Sequence, residues 1–259
     1  MAETIAVLSL KGGTGKTTTV RTLSDVLRRV GLDVLAIDLD PQGNLSDYFD
    51  VPPDATPTIA DVLAGDAKAK AAVHDGIVPA TPILAEVERS MSGKMGRELV
   101  LRKALKDARK QHDVVLIDCP PALGLLTING LVSADWALIS SEAQYFALQG
   151  VQGALDVIEQ AKEFYNPDLE WLGVVMNIAD MRTVHSREAY TQLSEHFGEK
   201  VFDTVIRSSI AYAESAERGL SILDHRPDLG ADYLALADEI LARIGLRDAR
   251  RALKPLLAG

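Results

Sequence analysis

Lysine, glycine and threonine residues are concentrated near the start of the chain, where residues 11–18 read Lys-Gly-Gly-Thr-Gly-Lys-Thr-Thr. This segment follows an apolar run at 5–8 and precedes an amphipathic helical pattern. Glycines let a loop fold around an anion, and the N-terminus of the following helix adds partial positive charge. Lys16 can reach the outer phosphates of a nucleotide, and the Thr17 hydroxyl can ligate magnesium. The pattern therefore predicts a nucleotide-phosphate site.

This loop departs from the usual template, in which four residues separate a first glycine from the Gly-Lys pair. Leu10 stands where that glycine is expected, and a second lysine, Lys11, opens a shorter glycine loop. A glycine-rich turn without a ligand is the alternative, but strand, loop and helix follow each other in the order that phosphate binding requires. The predicted nucleotide ligands here are Lys11, Gly12, Gly13, Thr14, Gly15, Lys16, Thr17 and Thr18.

Aspartates follow two later apolar runs that have the pattern of buried strands. Asp38 and Asp40 follow the first run, and Asp118 follows the second. The two-residue period of a strand places Asp38 and Asp40 on one side, at the strand end where open α/β sheets bind ligands. A single aspartate in such a place is more often a helix cap or a turn residue. Three of them behind a phosphate loop predict a metal site, with Thr17, Asp38 and Asp118 around magnesium.

Several longer stretches carry a specific likeness, and they extend over residues 3 to 245. They are KGGTGKTTT at 11–19, AIDLDPQGN at 36–44, VVLIDCPPALGLLTINGL at 114–131, SSEAQYFALQGV at 140–151, NIADMRT at 177–183 and HFGEKVFDTVI at 196–206. With these stretches the chain resembles the ParA/Soj/MinD family of deviant Walker ATPases. The DPQGN run and the EAQYFALQG run resemble the short ParA/Soj proteins of chromosome and plasmid partition more than MinD.

The resemblance implies an α/β fold with a single P-loop NTPase domain, in which helices flank both faces of a mostly parallel, twisted sheet. Alternating strand and helix patterns and 47% apolar content agree with one domain over residues 1–259. Residues 246–259 are expected to form a short basic C-terminal tail. Further strands are expected at 137–140, 173–176 and 201–206, and helices at 17–30 and 231–244. A loop is expected at 51–57.

The resemblance also implies an ATP hydrolase that uses ATP and Mg²⁺, is slow alone, and forms a homodimer when ATP is bound. The candidate catalytic residues are Lys11, Lys16 and Asp40. Lys11 would reach the nucleotide of the other subunit, and Asp40 would position or activate the attacking water. Pairing of Lys11 with a local carboxylate is the alternative. A ParB-like or other adaptor protein would stimulate hydrolysis.

The base end of the nucleotide site is less specific. In the family, the residue matching Asn177 and the segment after Val205 lie beside the adenine, so that Asn177 and Arg207 are further candidate nucleotide ligands. An asparagine can equally cap a strand end. The preference for ATP over GTP rests on the resemblance.

Binding of non-specific DNA is plausible from local charge, although a net charge of −10 opposes it. Residues 89–110 contain eight basic and two acidic side chains. They include the candidates Arg102, Lys103 and Lys106, and a solvated helix face is the alternative. Arg182 and Arg207 are candidates by resemblance. However, the run from Arg207 to Ala211 lacks the Pro-Arg pair and the further arginine that are typical of ParA/Soj sequences.

A cytoplasmic protein is expected, because no stretch reaches the roughly 18 apolar residues that span a bilayer. Association with the nucleoid is expected if the protein binds DNA. Use of the basic tail as a MinD-like membrane helix is the less favoured alternative, because Pro255 is expected to interrupt it. A filament-forming cytoskeletal ATPase is another. The single cysteine, Cys119, excludes an internal disulfide and is expected to be a packed thiol. The sequence does not identify the cargo.

Overall fold

A seven-stranded parallel sheet forms the centre of the computed structural model, which describes residues 2–144 and 146–258. The strand order is β3-β2-β4-β1-β5-β6-β7. The strands are β1 (Glu3–Leu8), β2 (Val34–Asp38), β3 (Ile77–Val78), β4 (Val114–Asp118), β5 (Trp136–Glu142), β6 (Glu170–Ala179) and β7 (Val201–Arg207). Each predicted strand is present, whereas the two-residue strand β3 gave no recognisable sequence pattern.

Helices connect the strands and cover both faces of the sheet. In the described residues they are α1 (Lys16–Arg29), α2 (Asn44–Tyr48), α3 (Ile59–Ala64), α4 (Ile83–Met91), α5 (Val100–Ala104), α6 (Leu125–Ser133), α7 (Ala147–Phe164), α8 (Val184–Phe197), α9 (Ala211–Glu217), α10 (Ile222–His225), α11 (Pro227–Arg243) and α12 (Arg247–Leu257). Four short 3₁₀ segments lie in the connections between these helices and strands. The basic stretch 89–110 is divided among several short helical segments and is not one continuous helix face.

Alternating residues of the central strands supply two hydrophobic cores, one on each face of the sheet. In β1, Ala6 and Leu8 belong to one core, and Ile5 and Val7 belong to the other. Such strands are buried on both faces, so they read as continuous apolar runs. Helix α1 turns its apolar stripe inward, and the chain leaves it through Gly31 at φ +88°, a conformation that glycine adopts without strain.

The centre of the sheet is also the point at which the strand order reverses. β1 lies between β4 and β5, so crossovers run to one side from β1 to β4 and to the other side from β5 to β7. Ligands of open α/β sheets bind in the crevice at such a point, at the carboxyl ends of the strands. The register pairs Asp38 with Asp118 and Val7 with Asp118. The backbone therefore brings both carboxylates next to the end of β1.

The expected C-terminal tail is an ordered helix, and the prediction that Pro255 interrupts it is wrong. Helix α12 continues through Pro255 to Leu257. Proline lies near the end of the helix, where few residues follow it, so the lost N–H bond and the ring clash affect only the last turn. Ala249 and Leu253 are buried in the core beside α11. Residues 51–57 form a loop, as expected.

Cys119 is fully buried, and burial raises the pKa of its thiol. This agrees with the expectation of a packed thiol. Within residues 2–144 and 146–258, no helix combines the length and the apolar character needed to cross a membrane.

Candidate functional site

The glycine loop between β1 and α1 has the backbone shape that its sequence requires. Gly13 and Gly15 have positive φ values of +77° and +83°. A Cβ atom at Gly15 would lie 3.2 Å from Cγ of Asn177, so glycine is needed there for both conformation and space. The side chain of Asn177, on β6, thus lies directly against the loop.

A buried ammonium group lies at the end of this loop. Lys16 is 6% exposed, and its Nζ donates to Oγ of Ser9 at 3.2 Å. Among the described residues no carboxylate lies within 4 Å of this ammonium. Ser9 also accepts from Oγ1 of Thr14 at 2.9 Å and donates to the Lys11 carbonyl at 2.8 Å, so one hydroxyl connects three loop residues. A buried cation that forms no ion pair with any described carboxylate favours the binding of an anion at this place.

The loop forms one wall of a cavity of about 820 Å³. Nine of the ten predicted nucleotide ligands line it: Gly12, Gly13, Thr14, Gly15, Lys16, Thr17, Thr18, Asn177 and Arg207. Lys11 does not line this cavity and faces a neighbouring one. The volume of the cavity that the loop lines, about 820 Å³, lies within the range of small-molecule and cofactor sites.

Asp118 and Thr17 meet behind the loop. Oγ1 of Thr17 donates to Oδ2 of Asp118 at 2.7 Å, while Oδ1 of Asp118 is buried and has no hydrogen-bond partner among the residues that the structure describes. Burial, followed by the charge of Asp38, raises the pKa of Asp118 to about 8. An orphaned carboxylate oxygen beside a threonine hydroxyl fits a hard cation such as Mg²⁺. The described residues contain no group of three or more His, Cys, Asp or Glu that could hold a metal alone. Magnesium would therefore need oxygens from phosphate and water.

Asp38 lies behind Asp118 with its lone pairs largely occupied. Its Oδ1 accepts from the Asp40 N–H at 3.0 Å, and its Oδ2 accepts from the N–H and Oγ–H of Ser46 at 3.0 and 2.8 Å. The pKa of Asp38 is raised to about 6, because the effect of burial outweighs the opposite effect of these hydrogen bonds. With three donors bound, Asp38 suits an outer role around a metal better than direct ligation.

Asp40 occupies the open side of the same turn. It lines the cavity, is partly buried, and accepts from the Gln42 N–H at 3.0 Å. A carboxylate with access to the cavity can accept a proton or orient a water molecule there. The two aspartates that sequence spacing places together thus differ in burial.

Lys11 contacts a local carboxylate, the alternative weighed from the sequence. Its Nζ lies 2.8 Å from Oε2 of Glu142 and 2.7 Å from Oε1 of Gln144. The lysine side chain is 61% exposed, and an exposed ion pair contributes only about 0–1 kcal/mol. Its ammonium can therefore leave Glu142 at low cost.

The cavity is also lined by three aromatic residues that no sequence motif indicates. Tyr48, Tyr212 and Tyr233 line it, and the rings of Tyr212 and Tyr233 meet edge to face with centroids 6.0 Å apart. Tyr48 exchanges a 2.6 Å hydrogen bond with Ser215. No local spacing marks these tyrosines, because they come from three separate helices or their ends.

Two predicted base-end ligands have protein partners. The buried amide of Asn177 donates to Oγ of Ser140 at 2.7 Å and weakly to Oγ1 of Thr19 at 3.4 Å. Arg207 lines the cavity, but its Nε lies 2.9 Å from a carboxylate oxygen of Asp232.

The five candidate DNA-binding residues do not form one patch. Arg182 makes a two-pronged pair with Asp180, at 2.8 and 2.9 Å, and Arg207 pairs with Asp232. Arg182 follows β6, and Arg207 is the last residue of β7. Arg102 and Lys103 lie on α5, which packs against α3 and α6, and Lys106 follows it. All five are exposed. The structure thus places the candidates in two separate regions.

Comparisons with known proteins agree with this geometry. A family model described as an AAA domain matches residues 2–171. The chromosome-partitioning ATPase Soj of Thermus thermophilus is 39% identical, and the alignment covers 93% of this chain and 96% of that protein.

Two solved structures share the fold. Apo McdA of Cyanothece superposes with a TM-score of 0.84 at 25% identity, covering 93% of this chain and 100% of that one. Cobyrinic acid a,c-diamide synthase of Mycobacterium smegmatis, solved with an ATP analogue and magnesium, gives a TM-score of 0.76 at 35% identity, covering 84% and 92%. Together with the phosphate loop and its paired aspartates, the match to Soj shows that the chain belongs to the ParA/Soj family of P-loop ATPases.

Proposed function

We propose that this protein is a ParA-type ATPase that positions DNA or another large cargo by ATP-controlled dimerisation. One observation carries the nucleotide part of the proposal, namely the buried ammonium of Lys16, which has no carboxylate partner among the described residues. A triphosphate would supply the missing negative charge. The similarity to a chromosome-partitioning ATPase and to a structure solved with an ATP analogue and magnesium supports this choice of ligand.

The residues of the loop would hold the phosphates. The backbone N–H groups of Gly13 to Lys16 and the Lys16 ammonium would bind their oxygens, and Thr17 and Asp118 would face Mg²⁺. When bound, Mg²⁺ neutralises charge that develops on the phosphate oxygens. Asp38 would orient the surroundings of the metal through its hydrogen bonds. Asp40, on the open side, would position the attacking water and accept its proton.

The dimer would form through Lys11. Its side chain is exposed at the same edge of the sheet as the cavity, and it would exchange Glu142 for the nucleotide of the partner subunit. A cation gains more from a buried phosphate than from an exposed carboxylate, because the local dielectric constant is lower there. Because the site is complete only in the dimer, hydrolysis by the isolated subunit would be slow, and the ATP-bound dimer would act as a switch.

In this proposal the protein works in the cytoplasm and associates with the nucleoid, where an adaptor of ParB type stimulates hydrolysis. The exposed residues Arg102, Lys103 and Lys106 would supply contacts to DNA phosphates. These contacts would not depend on the DNA sequence, because they involve only the phosphates of the DNA backbone. The cargo would be determined by the adaptor and not by the ATPase.

A solution-mass measurement tests the proposal. A non-hydrolysable ATP analogue with magnesium should double the molar mass that light scattering measures. Without magnesium the mass should stay that of the monomer. The same samples should retard DNA in a mobility-shift assay and should not float with anionic vesicles. An unchanged mass contradicts the dimer, continued growth of the mass identifies a filament, and flotation identifies a MinD-like surface protein.

A further inference from the structure

We propose that Ser46 is a positioning residue for Asp38, and thereby for the metal and the attacking water. This inference rests on the proposed function, because it concerns the same site. Ser46 follows the Asp-Pro-Gln-Gly-Asn run at 40–44 and lies in helix α2. It is 5% exposed and does not line the cavity, so it would act on the nucleotide only through another residue.

The direction of the Ser46 hydroxyl proton is fixed by its neighbours. The N–H of Ala80 donates to Oγ of Ser46 at 2.9 Å, and this Oγ lies 2.8 Å from Oδ2 of Asp38. A hydroxyl has one proton to donate. The N–H of Ala80 occupies the acceptor side, so the proton of Ser46 points at Asp38.

Ser46 thereby holds one oxygen of Asp38 with two donors. Its backbone N–H bonds the same Oδ2 at 3.0 Å, which leaves Oδ1 to accept the N–H of Asp40 at 3.0 Å. The hydrogen bonds form a chain from Ala80 through Ser46 and Asp38 to the backbone of Asp40. Loss of the hydroxyl would free the Asp38 carboxylate to rotate, and the Asp40 turn would lose a fixed acceptor. Residues that orient a metal's surroundings in this way change its affinity by about 10–100-fold.

The test compares Ser46→Ala with Ser46→Thr, which keeps the hydroxyl. The readouts are the magnesium concentration that gives half-maximal binding of a fluorescent ATP analogue, and the turnover rate. We expect Ser46→Ala to raise the half-maximal magnesium concentration and lower turnover by about tenfold each. Ser46→Thr should restore most of both. Ser133→Ala is the matched control, because Ser133 is a buried serine whose Oγ donates to a carbonyl of its own helix at 2.7 Å. It should behave as the wild type.

A double-mutant cycle separates positioning from general destabilisation. If Ser46 acts through Asp38, then Ser46→Ala should have little further effect in the Asp38→Asn background, within about twofold. An equal tenfold loss in both backgrounds, or an equal loss in Ser133→Ala, overturns the inference. So does a folded Ser46→Ala protein with unchanged magnesium dependence. A wild-type protein that binds no magnesium nucleotide contradicts the proposed function instead, so the two failures are distinguishable.

Discussion

The glycine loop and the exposed arginines near the ends of β6 and β7 use positive charge in opposite ways. Lys16 is buried, and within the described part of the chain its ammonium donates to the neutral hydroxyl of Ser9. Arg182 and Arg207 are instead exposed and paired with Asp180 and Asp232. The buried ammonium of Lys16 lowers the stability of the fold until an anion binds, whereas the charges of the two arginines are already neutralised by their aspartates. The state of the counter-ion, more than the presence of a basic residue, therefore distinguishes a ligand site from a solvated surface.

Lys11 falls between these two cases. It is exposed and ion-paired like the arginines, yet the proposed function assigns it to a nucleotide. Glu142 lies in β5 and Lys11 in the phosphate loop, so their pair joins the two strand ends at the edge of the sheet. Five experiments test this contrast between unpaired and paired positive charges, from the largest expected effect to the smallest. They are substitutions at Lys16, Asp40 and Lys11, a pH series, and substitutions at the exposed basic residues.

Substitution of Lys16 should have the largest effect. Lys16→Met should lower the catalytic efficiency of ATP hydrolysis on the order of 10³-fold, because it removes a preorganised charge at the phosphates. The same change should raise the free energy of unfolding of the nucleotide-free protein, since it removes a buried charge that forms no ion pair with any described carboxylate. Steady-state kinetics and urea unfolding measure the two quantities. Lys103→Met, at an exposed lysine, should change neither, and a loss of stability in Lys16→Met would break the contrast.

Asp40→Ala should lower turnover by about 10²-fold, because it removes the proposed acceptor for the water proton. Binding of ATP should remain, so the variant should accumulate as an ATP-bound dimer. Phosphate-release and light-scattering measurements with ATP check this. Release at the wild-type rate would remove Asp40 from the mechanism.

Lys11→Ala should bind a fluorescent ATP analogue within about threefold of the wild type, because only an exposed ion pair is lost. It should nevertheless fail to dimerise with the analogue. Glu142→Gln is the paired control, since it removes the ion pair of Lys11 while the contact with Gln144 remains, and it should leave dimerisation intact or increase it. A full dimer of Lys11→Ala in light scattering would assign Lys11 to the same class as Arg182.

The nucleotide-free protein should lose stability as the pH rises from about 4 to about 8. The pKa values of Asp38 and Asp118 are raised from 3.8 to about 6 and about 8 in the folded state. Between the unfolded and folded values, the folded protein retains protons that the unfolded chain has released, so a rising pH favours unfolding. Asp118→Asn should flatten this dependence in thermal melts at several pH values. A melting temperature that increases with pH over this interval would contradict the assignment.

The smallest effect is expected at the neutralised arginines. Arg182→Ala should change DNA affinity by less than about twofold, because its charge is already used by Asp180. Lys103→Ala should instead reduce the slope of log affinity against log salt by about 0.9, the value for one lost phosphate contact. Fluorescence anisotropy with labelled duplex DNA at several salt concentrations measures both. A steep loss in Arg182→Ala would show that its ion pair opens on DNA.

Local spacing in the sequence was enough to predict the glycine loop and to place Asp38 and Asp118 at neighbouring strand ends behind it. Thr17 follows Lys16 directly in the sequence. An aspartate at the end of an apolar run can be recognised from the sequence without knowledge of the fold. The pairing of Asp118 with Thr17 also follows from the order of strand and loop. The ion pair of Arg182 with Asp180, two residues away, could have been recognised in the same way.

Other parts of the site depend on turns and on distant elements. Ser46 reaches Asp38 because the chain turns back from β2 into α2, and no pattern in the intervening residues specifies that turn closely enough. Tyr212 and Tyr233 lie on separate helices and meet only in the folded chain. Ser9 gave a weak signal, as a polar residue directly after an apolar strand. Helix α12 continues through Pro255 while Ala249 and Leu253 pack into the core beside α11, and the residues of the tail alone do not specify that packing.

The burial of Leu253 against α11 affects how this protein can be tagged for imaging in cells. A fluorescent fusion joined after residue 258 leaves the packed face of α12 in place. A truncation before Arg247 removes that helix and exposes apolar surface of α11 to water, which favours aggregation. The same packing opposes any movement of α12 onto a lipid bilayer, because Leu253 cannot fill the core and insert among acyl chains at once.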